Sequence, residues 1–156
     1  MDTDSTETRS LATDLREKGG LAAHLDVDPK DLRLGLEVAK AHRDRGDVAG
    51  AMRIYAALSL CDMNEPDYQQ GIADCAYAMG EFGLALNAAS ALIALAPKRA
   101  VGYYLSGAAC LAMGHEAEAK EDLTEAKKLA LESRDTMVHA EADKLLRSMG
   151  VVAGNA

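Results

Sequence analysis

Tryptophan is absent from the 156 residues, phenylalanine occurs once, and aromatics make up only 4%. A core built on large rings is therefore excluded, and the interior must close on small and aliphatic side chains. Proline is nearly absent too: three residues, none inside an apolar-periodic stretch, which leaves long helices unbroken. Three cysteines, Cys61, Cys75 and Cys110, are an odd number without metal-like spacing, so neither a disulfide framework nor a zinc site is expected. No apolar run approaches the length of a membrane span. The opening MDTDSTETRS is acidic and polar, unlike a secretory signal, so a cytosolic protein is expected. Basic residues are outnumbered 25 to 17, and the net charge of −8 argues against a nucleic-acid surface. What remains is a composition 49% apolar and rich in alanine and leucine, which is all-α.

The informative feature is a register. Gly46, Gly80 and Gly114 stand 34 residues apart, and each is followed five residues later by alanine: Ala51, Ala85 and Ala119. Ala39, Ala73 and Gly107 keep the same period seven residues before each glycine. A fixed period of 34 marks the tetratricopeptide repeat, a helix–turn–helix unit. Two antiparallel helices approach closely where both carry small residues, and the glycine between them ends the first helix in a left-handed conformation. Four places beyond each alanine, Tyr55 and Leu123 fill the space between repeats. The second copy has Ala89, so looser packing or filling by a neighbour is expected there.

The expected organisation is a disordered start at 1–7 and an N-terminal helical region at 8–28 interrupted at Gly19-Gly20. Three repeats follow over 29–131 (about 32–65, 66–99 and 100–133), then a capping helix at 134–149 and a flexible tail at 150–156. Asp28 caps and Pro29 opens the first long helix, which runs to about Asp44. Further helices are expected at 48–60, 66–79, 82–95, 99–112 and 116–131, with Pro97 stopping the helix before it. A terminal cap is needed because an array otherwise ends on a bare apolar face.

Catalytic chemistry is not in evidence. His24, His42, His115 and His139 lie in different elements with no second ligand at helical spacing, so no metal is expected. There is no phosphate-binding loop and no nucleophile elbow, so neither cofactor nor enzymatic activity is expected. Glu116, Glu118, Glu121 and Asp122 cluster at a helix start, where the dipole favours them, as a solvated face. Function then falls to the concave groove of the stacked repeats. Positions on the first helix of each repeat that do not pack on the second would line it. These are Arg33, Leu36, Lys40 and Arg43; Asp67, Gln70, Asp74 and Tyr77; Val101, Tyr104, Ala108 and Leu111. Such a groove is basic at one end, polar-acidic in the middle and apolar at the other. An extended peptide would place apolar side chains near Tyr77, Tyr104 and Leu111, and polar or acidic groups near Lys40 and Arg43. The alternatives are that Lys40 and Arg43 pair with Asp74, and that the tyrosines only pack between helices.

From Asp14 to about Ala130 the chain resembles the class II chaperones of bacterial type III secretion. The strings that carry the likeness are LREKGGLAAHL, AMRIYAALSLCDMNEPDY, GIADCAYAMGEFGLAL and YYLSGAACLAMGHEAEAKEDL. The resemblance implies a cytosolic protein that holds an extended segment of a hydrophobic translocator in its groove before export. It also implies a homodimer formed through the N-terminal helical region, here Leu11, Leu15, Leu21 and Leu25. Where that family presents aromatics from its first long helix, this chain has Leu36, Lys40 and Arg43. The competing expectation is a generic tetratricopeptide adaptor, or a needle-subunit co-chaperone, that binds another protein partner.

Overall fold

The computed structural model describes Thr13, Glu17 and residues 20–150. Leu11, Leu15, the 1–7 start and residues 151–156 of the tail lie outside the described residues. Within them the chain is helical and without strands: α1 (Ala22–Leu25), α2 (Pro29–Asp44), α3 (Val48–Cys61), α4 (Pro66–Ala78), α5 (Phe82–Leu95), α6 (Ala100–Ala112), α7 (Glu116–Ser133) and α8 (Thr136–Ser148).

The local chemistry fixes these ends. Asp28 accepts from the Lys30 N–H at 2.8 Å with Pro29 in the first turn of α2. Asp47 accepts from the Gly50 N–H at 2.9 Å to start α3, Glu65 from the Asp67 N–H at 3.2 Å before Pro66, and Asp135 from the Val138 N–H at 3.1 Å. Each such cap satisfies a donor the helix itself leaves open. The three register glycines close the first helices with φ of +84, +78 and +80°. After each, one N–H reaches back across the turn: Asp47 to His42, Glu81 to Ala76 and His115 to Cys110, all at 2.9 Å. One C-terminal motif is thus written three times at a spacing of 34 residues.

The pairs α2–α3, α4–α5 and α6–α7 stack in succession, and α8 packs on α7. Ala39, Ala51, Ala73, Ala85 and Ala119 are fully buried, so helices meet on alanine surfaces. At Gly107 even a methyl group is too much, since a Cβ would sit 2.7 Å from Leu123 Cγ and 3.1 Å from the Ala119 carbonyl oxygen. The expected gap at Ala89 is filled by a neighbour: Leu105 of α6 enters the cluster of Ala73, Ala88 and Ala89. Cys75 and Cys110 are buried as small apolar groups, and burial pushes both thiols up. One acidic expectation shifts in detail. Asp122 is half-buried and accepts from the buried Ser106 hydroxyl at 2.6 Å, so it ties α7 to α6 rather than facing solvent. His115 makes no side-chain cap and is exposed.

Candidate functional site

The first helices α2, α4, α6 and α8 touch one another in sequence, while α3, α5 and α7 make no comparable contact among themselves. An array tighter along one row of helices bends toward that row, so the first helices form the inner face. Residues three, seven and ten apart on a helix share a face, so each set of four groove candidates lies on one side of its own helix.

At the basic end Leu36, Lys40, Arg43, Asp67 and Gln70 surround a cleft of about 170 Å³. Its floor is apolar because Tyr55 lies against Gly71, where a Cβ would collide with the ring. Arg33 is exposed and does not line the cleft. The charges are largely satisfied among themselves. Arg43 Nη1 donates to Asp74 at 3.2 Å, joining α2 to α4. Burial pushes the Asp74 carboxyl up, and the Arg43 guanidinium draws it partly back. Lys40 pairs instead with Glu37, one turn away at 2.9 Å on an exposed face. Of the two basic residues weighed as partners of Asp74, only Arg43 takes that part.

One residue that the sequence pattern did not mark joins this end. Arg99, at the entry to α6, reaches back to Asp67 at 2.6 Å and Gln70 at 3.5 Å. Asp67 therefore pairs with Arg99 and Asp74 with Arg43, which laces α4 to both neighbouring repeats.

The other end is apolar and half-buried. Tyr77 stacks on Phe82 with ring centroids 5.4 Å apart and planes tilted by 60°, and packs on Ala76, Ala85 and Ala109. Tyr104 packs against clusters from α4–α5, α7 and α8 and keeps part of its surface in water. Burial, foremost, pushes its hydroxyl up, and the charges of Glu141, Tyr77 and Asp74 act in the same direction. Glu141, from α8, is exposed and was not marked by the repeat pattern. Leu111 is half-buried, and Val101 packs into two clusters. Ala108 is 2% exposed, so it forms the wall beneath the groove and offers a ligand no side chain.

Leu21 is half-buried, with its N–H donating to the Leu60 carbonyl at 2.9 Å, whereas Leu25 is 65% exposed. Among the described residues no three histidine, cysteine or carboxylate side chains gather as a metal cage. No described helix is long and apolar enough to cross a membrane.

No protein-family model and no curated protein matches this chain. Solved structures do. A type III secretion complex from Aeromonas hydrophila superposes with a TM-score of 0.82 at 22% identity, covering 90% of this chain and 94% of that one. The Yersinia enterocolitica type III secretion translocator chaperone SycD does so at 0.76 and 21%, over 83% of this chain and 98% of its own. PcrH, solved in complex with the chaperone binding region of PopD, gives 0.74 at 19%, over 78% and 92%. The protein is thus a tetratricopeptide-repeat array of the same fold as these secretion chaperones.

Proposed function

We propose that the protein is a cytosolic type III secretion chaperone. It binds an extended segment of a hydrophobic translocator in its inner groove and keeps that client soluble and unassembled before export. The observation that carries this reading is the likeness in fold across nearly the whole chain to translocator chaperones, one of them, PcrH, solved with the chaperone binding region of PopD. The groove supports it. It is preformed, graded from charged to apolar, and held open by ion pairs between repeats, so a peptide in extended conformation meets pockets that need little reordering.

In this reading the repeats span 32–65, 66–99 and 100–133, and 134–149 caps them. Leu36, Lys40, Arg43, Asp67, Gln70 and Arg99 take the polar part of the client. Tyr77, Tyr104, Val101 and Leu111 take its apolar side chains, and Glu141 closes the far end. The protein works by binding and carries out no reaction. Leu21 and the exposed Leu25 belong to the surface through which two copies associate. A translocator with membrane-spanning segments aggregates when left bare in water, and masking one segment removes part of that surface.

The test is an affinity pull-down of the tagged protein from its native cells, with bound proteins identified by mass spectrometry. A secreted protein with membrane-spanning segments is the expected partner. Recovery of only soluble, non-secreted proteins would make this an adaptor that shares the chaperones' fold alone.

A further inference from the structure

The cleft between α2 and α4 carries a polar group that the packing does not need. Tyr55 is 1% exposed, with its ring fixed over Gly71. The same register position is Ala89 in the second repeat and Leu123 in the third, and both are fully buried. Neither brings a hydroxyl, so the junction asks only for apolar bulk. Among the described residues the Tyr55 hydroxyl has no hydrogen-bond partner. None of their side-chain nitrogen or oxygen atoms is both sealed from solvent and unpaired. The hydroxyl therefore keeps its contact with water, through the cleft that Tyr55 lines. Burial pushes its pKa up, so it stays protonated and able to donate.

Gln70 supplies a second neutral donor. Its carbonyl oxygen accepts from Arg99 Nη1 at 3.5 Å, which leaves the amide NH2 free on a side chain that lines the same cleft. The charges, in contrast, are already matched. Asp67 pairs with Arg99 at 2.6 Å, Asp74 with Arg43 at 3.2 Å, and Glu37 with Lys40 at 2.9 Å. A further carboxylate or ammonium drawn into this space would leave one charge without a counterpart. Burial already pushes the Asp74 carboxyl up, so added negative charge is unfavourable there. The space, about 170 Å³, takes the end of one side chain.

We propose that this cleft is a subsite for one carboxamide of the client, the side chain of an asparagine or glutamine. Its oxygen accepts from the Tyr55 hydroxyl and the Gln70 amide. Its NH2 donates to the second carboxylate oxygen of Asp67, whose first is held by Arg99. A carboxamide both accepts and donates, through separate atoms and without net charge, which is what the unpaired groups require. The exposed Lys40–Glu37 pair is weak, so Lys40 stays available to an acidic residue beside the carboxamide. Assignment of the occupant to a client rests on the inner groove being the client's seat; the chemistry of the cleft does not.

The first test therefore needs no client. Acetamide, acetate and methylammonium are titrated separately onto the full chain, and the Gly71 amide and the Tyr55 ring are followed by NMR. Acetamide is expected to give saturable shifts at both groups that are lost in Tyr55→Phe. The two ions are expected to bind at least about fivefold more weakly. Acetamide shifts that do not saturate, or tighter binding of either ion, overturn the proposal. The urea midpoint of Tyr55→Phe is expected to match the wild type, because the deleted hydroxyl has no protein partner. A fall would give that hydroxyl a structural bond and overturn the proposal too. In titration calorimetry Tyr55→Phe is expected to weaken the partner recovered by pull-down by about tenfold. If a translocator is recovered and Tyr55→Phe binds it as tightly as the wild type does, the subsite fails and the chaperone reading stands. If acetamide binds as expected and no translocator is recovered, the chaperone reading fails and the cleft's preference for a carboxamide stands.

Discussion

The Tyr55 ring rests on Gly71, and one period later the same two positions hold Ala89 and Leu105. The contact has been turned inside out. In the first junction the bulk comes from the second helix and the space from α4. In the next junction the bulk comes from α6 and the space from α5. Each junction fills, which is why the alanine at 89 leaves no void.

Swapping the arrangement tests this reciprocity. Tyr55→Ala removes a side chain that is 1% exposed and is expected to cost about 3–5 kcal/mol. Gly71→Leu alone forces a branched chain into the ring and is expected to cost about 1–3 kcal/mol or more. The double variant reproduces the Ala89/Leu105 geometry and is expected to recover at least half of the summed loss. Urea midpoints for the four proteins give the coupling directly. Additive losses would mean that the two junctions are not interchangeable.

Gly80 isolates backbone strain from packing. Its φ is +78°, and nothing lies within 4 Å of where a Cβ would stand. A substitution there is penalised by conformation alone. Gly80→Asn is expected to be mild and Gly80→Ala to cost about 1–2 kcal/mol. Gly80→Val is expected to be worst, since branching at Cβ crowds a left-handed backbone further. Thermal melts that rank the three otherwise would place the helix end elsewhere.

That glycine also shows what the sequence discloses. The ends of α2, α4 and α6 were readable because a left-handed glycine turn and a small residue on each side of it recur at one period, and each has a local cause. α5 begins and ends where periodicity placed it, and α7 runs on two residues further to an Arg134 that itself adopts φ of +59°. For the inner face, periodicity proposes a set of positions and no set of partners. Periodicity says on which side a Cβ stands; it does not say how far a long side chain reaches. Arg99 sits at a helix entry outside the groove pattern yet spans back to Asp67. Ala108 kept the pattern and is buried by its neighbours, because an alanine has no length with which to reach the surface.

Acid is expected to weaken the fold through Asp47. Its carboxylate accepts from the His42 ring at 2.7 Å and from the Gly50 N–H, and the His42 bond, foremost, holds its pKa below the usual carboxylate range. A depressed folded pKa means that the unfolded chain binds the proton more readily. Stability from this group is complete above the unfolded pKa and is lost as pH falls through the folded one. Asp143, held low chiefly by Lys127 at 2.5 Å, acts in the same direction. Asp74 opposes them, since its raised carboxyl protonates earlier in the folded state. The gap in urea midpoint between the wild type and Asp47→Ala is expected to be constant near neutrality and to close below about pH 4. A gap that persists into strong acid would mean that the carboxylate's charge contributes nothing to the turn.

The groove is best probed where ligand contact and folding separate. Tyr104→Ala is a poor probe, because the ring packs against three clusters and its truncation is expected to cost about 2–4 kcal/mol of stability. Lys40 is the better choice. Its ion pair with Glu37 lies on an exposed face and contributes little, yet Lys40 lines the cleft with Leu36, Arg43 and Asp67. Lys40→Glu is expected to leave the urea midpoint in place and to weaken a client segment with an acidic residue at this end by about tenfold, or 1.4 kcal/mol. Tyr104→Phe, which keeps the packing and deletes only the hydroxyl, reports on the far end in the same titration calorimetry. If both variants bind the recovered client as tightly as the wild type does, the client lies on another face of the array, and the inner row of helices serves only to hold the repeats together.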